Sequence, residues 1–435
     1  MDGAAGEGKR GAFASACGGR FSGAPGAWYR RGVMAKPRTL AFLRTEAGAG
    51  ALLAVSALLA LIAANSRFAA GYEAFVNWPL PLRLGGFART ASVAGWVRDG
   101  LMTAVFLVIG LQVKFEIVKG EVSSPRRFVL PLVSAAGGLL APALLIAILS
   151  PHAPWPDWLA AGASDTALAL AALSAVGRPL PDSVRLFLLV VAGADILAVS
   201  ALGALAGPGR IDADGLFMAL ALLLGLGLMG RWRAAPRLFY AVGFVLVWGL
   251  LQRAGIGAAL AGFGCAAVTP VRVRRGGVES VGETFVNGLH GYVAFLILPL
   301  FVFVAAGAPL REVGWRGLLG GPAAALLLAM VAAKPAGVLG GAFLAAVLRV
   351  GRKPLEASWS ELAGAALLCG AGLTFSLYVA GAAGTPAPAV RAAILAASAL
   401  AVAAGVGVLA SAAQSRRAVA AEAARLNPYR ASRRA

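Results

Sequence analysis

The sequence predicts an all-α, polytopic membrane protein of about twelve transmembrane helices. Three observations carry that prediction. Hydrophobic residues make up 59% of the 435-residue chain and charged residues only 13%, a balance far from that of a water-soluble globule. Apolar stretches of about 20 residues recur along the whole chain, each long enough to cross a ~30 Å hydrocarbon core as a helix. The formal net charge of +20 concentrates in both tails and in alternate loops. That distribution points to membrane topology and anionic lipid, not to nucleic acid.

Residues 1–38 form a basic tail rich in Gly and Ala. The tail lacks the apolar core, about 7–15 residues long, of a cleavable signal peptide. Gly3 to Lys9 comes close to a phosphate-loop pattern, but Arg10 stands where Ser or Thr would, and no strand or helix frames it. The tail is expected to be disordered and cytoplasmic. A transmembrane domain follows over 39–413, then a second basic cytoplasmic tail over 414–435.

The expected spans are 45–64, 97–117, 128–149, 158–176, 184–206, 214–230, 237–252, 255–270, 288–308, 318–348, 362–383 and 389–412. An even number puts both termini on one side. The loops on that side carry Lys119, Arg126 and Arg127, then Arg231, Arg233 and Arg237, then Arg272, Arg274 and Arg275, then Arg349, Arg352 and Lys353. On the opposite side, the connections 151–158 and 384–389 are nearly free of charge, although Arg67, Arg83, Arg89, Arg253, Arg311 and Arg316 also fall there. The excess of positive charge places both termini in the cytoplasm of a cell with an inner membrane.

Paired glycines such as Gly137-Gly138, Gly320-Gly321 and Gly340-Gly341 are expected to serve close helix packing. Two other stretches stand out. Ser164-Asp165-Thr166 crowds polar groups into the fourth span, and Gly370-Ala371-Gly372-Leu373-Thr374-Phe375-Ser376 interrupts the eleventh. Interrupted helices at corresponding places in two halves mark the binding region of secondary transporters. Asp165 and Asp195 lie inside apolar runs, and so does Lys334. A carboxylate at mid-membrane depth costs roughly 2.5–3.5 kcal/mol on insertion scales, so it is normally turned toward a bundle interior or a water-filled cavity. Two readings stay open for Asp195 and Lys334: an ion and proton site with its counter-charge, or a structural ion pair. Asp165 either binds an ion or neutralises helix ends. Asp99 reads as interfacial, His290 as a solvated or capping histidine, and Lys114 and Glu116 as snorkelling residues at the membrane edge.

Enzyme chemistry finds little support. The chain has two histidines and lacks both HExxH and GxSxG. The three cysteines, Cys17, Cys265 and Cys369, are scattered without metal-ligand spacing. No cofactor is expected.

Over roughly residues 40–412, the chain resembles the NhaA-type sodium/proton antiporters. The matching stretches include Ile62-Ala63-Ala64-Asn65-Ser66, Trp96-Val97-Arg98-Asp99-Gly100-Leu101-Met102, Gly110-Leu111-Gln112-Val113-Lys114 and Ser164-Asp165-Thr166-Ala167-Leu168-Ala169. They continue with Leu289-His290, Leu296-Ile297-Leu298-Pro299-Leu300-Phe301, Lys334-Pro335 and Leu368-Cys369-Gly370 through Ser376. The resemblance implies inverted repeats with two discontinuous helices, and a core bundle of spans 3–5 and 10–12 against a scaffold of the others. It also implies exchange of Na⁺ or Li⁺ for H⁺ in pH and sodium homeostasis, and a homodimer through the second-span hairpin region.

The resemblance makes Ser164, Asp165 and Asp195 the ion- and proton-binding residues. It makes Lys334 the charge partner, and Gly372, Thr374 and Ser376 part of a broken helix. Departures are equally specific. An Asp-Asp pair is expected in the fifth span, and here it is Asp195-Ile196, or Ala194-Asp195 if the alignment shifts by one. In the funnel and pH-sensing region of Gln112, Glu116 and His290, Gln112 replaces a Glu and Phe115 an Arg. Val286-Asn287 replaces a Glu-His pair there. Neutral groups in place of titratable ones remove charge changes that bias a conformational equilibrium. Restoring carboxylates with Gln112→Glu and Val286→Glu is therefore expected to displace the profile of activity against pH. Superimposable profiles would rule this out.

Overall fold

The computed structural model describes residues 46–84, 87–119, 125–177, 180–206, 211–232, 236–272, 279–351, 353 and 356–426. The expected tail over residues 1–38 lies outside them. The helices, in chain order, begin with α1 (Glu46–Ala64), α2 (Met102–Lys119), α3 (Pro125–Leu149), the pair α4 (Trp155–Gly162) and α5 (Thr166–Val176), and α6 (Asp182–Ala206). Then come α7 (Ala213–Trp232), α8 (Arg237–Arg253), α9 (Ala258–Val268), and α10 (Val281–Tyr292) running on into α11 (Leu298–Ala305). The last are α12 (Gly321–Leu328) running on into α13 (Lys334–Val347), the pair α14 (Trp359–Cys369) and α15 (Leu373–Ala380), and α16 (Pro388–Leu426).

Ten helical stretches among the described residues are long and apolar enough to cross a membrane. All twelve expected spans fall on helices. Those at 237–252 and 255–270 are the shorter ones, with α8 having 17 residues and α9 having 11. Ahead of α2 lies an antiparallel hairpin of β1 (Pro79–Leu84) and β2 (Phe87–Ser92), in register from Pro79↔Ser92 to Leu84↔Phe87.

Among the described residues, three spans contain a π-helical turn, at Val97–Leu101, Val293–Ile297 and Ala329–Ala333. Pro299 and Pro335 follow the second and third. Proline brings no N–H to the ladder and crowds the preceding turn, which widens locally. In the first, the carbonyl of Asp99 accepts from Trp248 Nε1 at 2.6 Å and from Gln252 Nε2 at 2.9 Å.

Buried apolar residues fall into groups. One is drawn from α3, α5, α6, α13, α14 and α16, with Leu130, Leu173, Phe187, Val338 and Leu368 among its members. A second joins α2, α7, α8 and α9 through Leu111, Leu226, Tyr240 and Cys265. A third, including Phe106, Ile196, Phe375 and Tyr378, lies where the two sets of helices meet.

The contact of α3 with α13 is backbone against backbone. A Cβ added at Gly341 would stand 2.5 Å from the Val133 carbonyl oxygen and 2.9 Å from Ser134 Cα, whereas one at Gly340 meets nothing within 4 Å. The packing role expected of Gly340-Gly341 therefore belongs to Gly341. Gly320-Gly321 serves differently: it opens α12, with Gly321 at φ 53°.

The helix α16 continues past the expected boundary at residue 413 to Leu426. Arg416 explains the extension. It donates to both oxygens of Glu361 and to the Glu356 carbonyl. Glu361 is buried and closes a capping box with Ser358 at the start of α14.

Overpacking a close contact costs about 1–3 kcal/mol. Gly341→Leu is expected to lower the thermal unfolding temperature in detergent by several degrees. Gly340→Leu is expected to leave it near wild type, and equal loss in both would contradict this account of the seam.

Candidate functional site: the crossing of two broken helices

Between α4 and α5 the chain leaves helical geometry. Ala163 (φ −76°, ψ 141°) and Asp165 (φ −91°, ψ 98°) are extended. Between α14 and α15 the break falls at Gly370 to Gly372, with Gly372 at φ −122° and ψ 19°. A Cβ at Gly370 would lie 2.5 Å from the Met330 carbonyl oxygen, and one at Gly372 would lie 2.9 Å from that of Ala163. Only glycine admits this approach. The two breaks touch directly, because the Asp165 N–H donates to the Ala371 carbonyl at 2.7 Å.

Four helix ends thus converge inside the protein. The free N–H groups of α5 and α15 carry partial positive charge, and the free carbonyls of α4 and α14 carry partial negative charge. Asp165 answers the first pair. Its Oδ1 accepts from the Leu168 N–H at 3.0 Å and its Oδ2 from the Thr374 N–H at 2.8 Å. Lys334 answers one of the second pair, donating to the Gly162 carbonyl at 2.5 Å. Ser376 Oγ donates to the Ala160 carbonyl at 2.7 Å, and the Gly372 N–H donates to Ser398 Oγ at 3.3 Å.

Asp195, on α6, enters this crossing from the side. It and Lys334 have no solvent exposure. The Lys334 ammonium stands 3.3 Å from Asp195 Oδ2. Ser164 Oγ lies 2.6 Å from the same Oδ2 and 3.0 Å from the Cys369 carbonyl, and its single proton serves one acceptor at a time. Asp195 Oδ1 finds no hydrogen-bond partner among the described residues, and neither do the hydroxyls of Thr166 and Thr374. A buried acceptor without a partner costs about 1–3 kcal/mol. Such an oxygen is ready for a proton or a hard cation.

The structure brings together Ser164, Asp165, Asp195, Lys334, Gly372, Thr374 and Ser376. It does not give the two aspartates equal parts. Asp165, expected to bind ion or proton, has both oxygens occupied by backbone N–H groups. The buried oxygen without a partner belongs to Asp195. Ile196, where a second aspartate was expected, is 1% exposed and packed in the apolar core.

Gln112 and Glu116 lie on α2, and His290 is exposed in the last turn of α10. Lys114, expected to snorkel at the membrane edge, instead donates to the carbonyls of Ala267 and Thr269, each at 2.6 Å. There it serves the C-terminal end of α9 as cations do. Asp99, expected at the interface, is 8% exposed and held by Arg89 and Arg98. Sequence reasoning passed over Arg98 and Tyr378. The only cue was opposite charges side by side at the edge of an apolar span.

Removing one partner of a buried ion pair costs about 3–5 kcal/mol, because the other charge is stranded. Lys334→Ala is therefore expected to lower thermal stability markedly in detergent. Adding Asp195→Asn is expected to recover part of the loss. No recovery in the double variant would show that Lys334 stabilises chiefly through the Gly162 carbonyl.

The model of the family described as Na⁺/H⁺ antiporter 1 matches residues 40–409. The Na⁺/H⁺ antiporter NhaA of a Sulfurovum species is 34% identical over 342 residues, covering 78% of this chain and 87% of the relative. That of a Nitratiruptor species is 33% identical over 347 residues, covering 79% and 89%. That of Serratia proteamaculans is 34% identical over 343 residues, covering 78% and 87%. With ten membrane-length helices and two interrupted spans among its described residues, and a family match over residues 40–409, the chain belongs to the Na⁺/H⁺ antiporter 1 family.

Proposed function

We propose that the protein is a secondary antiporter that exchanges Na⁺ or Li⁺ for H⁺ across the bacterial inner membrane, and that Asp195 is the shared site. The observation that carries this reading is the divided carboxylate. Asp195 Oδ2 is engaged by Ser164 and Lys334, while Oδ1 is buried without a partner. A carboxylate in an apolar interior is held either by a proton or by a cation, and competition for one site exposed alternately to two sides is antiport. Burial favours the neutral form of a carboxyl group and a neighbouring ammonium favours the charged form, so the balance sets the working pH.

The roles of the other residues follow from their contacts. Ser164 Oγ is a neutral oxygen ligand that turns between Asp195 and the Cys369 carbonyl. Asp165 is the fixed charge, since two backbone N–H groups hold its oxygens at the helix ends. Lys334 is the counter-charge. A cation arriving on Asp195 displaces the proton held there and stands beside an ammonium, so Lys334 keeps its own proton and its bond to the Gly162 carbonyl while its contact with Asp195 lengthens. With Ile196 in place of a second carboxylate, one charge is available, and exchange of one cation for one proton is the coupling that balances. The excess of Lys and Arg in the loops on the side of the chain ends supports cytoplasmic termini.

The test is sodium-driven proton movement in sealed vesicles that contain the purified protein and a trapped pH indicator. Addition of Na⁺ or Li⁺ is expected to shift the internal pH with wild type and not with Asp195→Asn, and without building a membrane potential. A sizeable potential would overturn one-for-one coupling. Silence with both cations at every pH would sink the exchange reading and turn attention to another solute, as the lost carboxylate at Ile196 would favour.

A further inference from the structure

A cavity of about 340 Å³ opens where the C-terminal ends of α6 and α8 reach the far face of the helices, opposite the face at which α1 begins and α16 ends. Its walls include Asp99, Gln252 and Tyr378, and its floor is made by Val199, Ser200 and Gly203 of α6. Val199 stands one helical turn beyond Asp195, and Ser200 one turn beyond Ile196. At ~1.5 Å per residue, the floor is only about 6 Å along the helix from the exchange site. The intervening layer is apolar. Phe106 and Phe375 are fully buried, with the Phe106 ring 5.5 Å from that of Phe375 and 4.9 Å from that of Tyr378.

The short helix α15 bounds this layer. Its first turn donates to Asp165 at the crossing. Its far end is tied to the α2 and α9 side by two hydrogen bonds. Arg98, in the π-helical turn before α2, donates to the carbonyl of Gly381, the C-cap of α15. Tyr378 accepts at its hydroxyl from the Ala259 N–H at 3.1 Å, filling the N-terminal cap of α9 that Gly257 leaves open. Arg98 does not stand alone. Its Nε and Nη2 donate to Asp99 at 2.8 and 3.2 Å. Arg89 grips the same carboxylate and donates to Gln252 Oε1 at 2.8 Å. Two guanidinium groups on one carboxylate fix the fork of Arg98 on Gly381.

We propose that Arg98 on Gly381 and Tyr378 on Ala259 form a latch that seals the exchange site from the far-face cavity, with Asp99 as the residue that positions Arg98. Opening to that face requires α15 to part from α2 and α9, and both bonds must then break. A helix of eight residues, held at one end by Asp165 and at the other by Arg98, cannot tilt while both ends are tied. The purpose of the latch rests on the exchange reading above, but its existence is tested without transport.

The test uses accessibility of a thiol below the floor. In the full chain, with Cys17, Cys265 and Cys369 replaced by Ala, an Ile196→Cys reporter is exposed to a charged, membrane-impermeant methanethiosulfonate. The reagent is applied to intact cells and, separately, to inverted membrane vesicles, so that each face is read. The far-face labelling rate is expected to rise about tenfold with Arg98→Ala and about fivefold with Tyr378→Phe, the scale of one charged and one neutral hydrogen bond. Asp99→Asn is expected to act in the same direction as Arg98→Ala. Arg253→Ala, which breaks an exposed ion pair with Asp212 at the same face, is expected to leave the rate unchanged. The latch is overturned by rates that stay at the wild-type level in Arg98→Ala and Tyr378→Phe while both elute as folded protein. It is equally overturned by a rise of the same size in Arg253→Ala, which would mean general loosening. Loss of sodium-driven proton movement in wild type would defeat the exchange reading and leave the labelling result standing.

Discussion

Everything near the centre of this protein depends on one carboxylate holding two helix N-termini. Breaking a helix inside a membrane leaves backbone groups with no water to satisfy them, at several kcal/mol each. Two breaks double the difficulty unless the ends neutralise one another. Asp165 does this for α5 and α15, and the carbonyl ends of α4 and α14 are met by Lys334 and Ser164. The site proposed for exchange is what remains: an aspartate on an unbroken helix whose second oxygen none of these groups needs. The division between a carboxylate that holds the scaffold and one that is free to change partner is the central feature of the site.

Much of this was legible in the residues. Ser164-Asp165-Thr166 and Gly370 to Ser376 announce their breaks because glycines and short hydroxyl side chains crowded together disrupt an apolar helix, and both breaks are where that reasoning puts them. Asp195 and Lys334 were legible as partners because lone opposite charges in membrane spans need each other. Whether Asp165 binds an ion or neutralises helix ends stayed open in the sequence. Which backbone N–H a carboxylate meets depends on how two distant segments cross, and no local pattern carries that. Lys114 misled for a similar reason: its partners are carbonyls on a helix far away in the chain, at Ala266 and beyond. The helical continuation to Leu426 was hidden by polar composition, since the contact that secures it, Arg416 on Glu361, is tertiary.

The π-helical turns belong to the same class. Each widens a span, and two of them do so where a side chain or carbonyl is turned to use: the Asp99 carbonyl toward Trp248, and Lys334 toward the crossing. A proline shortly past the end of a turn gives a partial cue at Val293–Ile297 and Ala329–Ala333. At Val97–Leu101 no proline is present, and the cause is the pull of Trp248 and Gln252 on the Asp99 carbonyl.

The glycine seam between α3 and α13 sets how force is carried through the molecule. Where two helices touch backbone to backbone, with only small side chains such as Ala141 and Val338 in the seam, little can rearrange between them and they behave as one doubled beam. Lys334 heads α13 and therefore rides on that beam, while Asp195 rides on α6. The separation of the ion pair is then governed by how a stiff two-helix girder shifts against a single helix. A change in the length of one 3.3 Å contact is a mechanical gauge of the whole bundle.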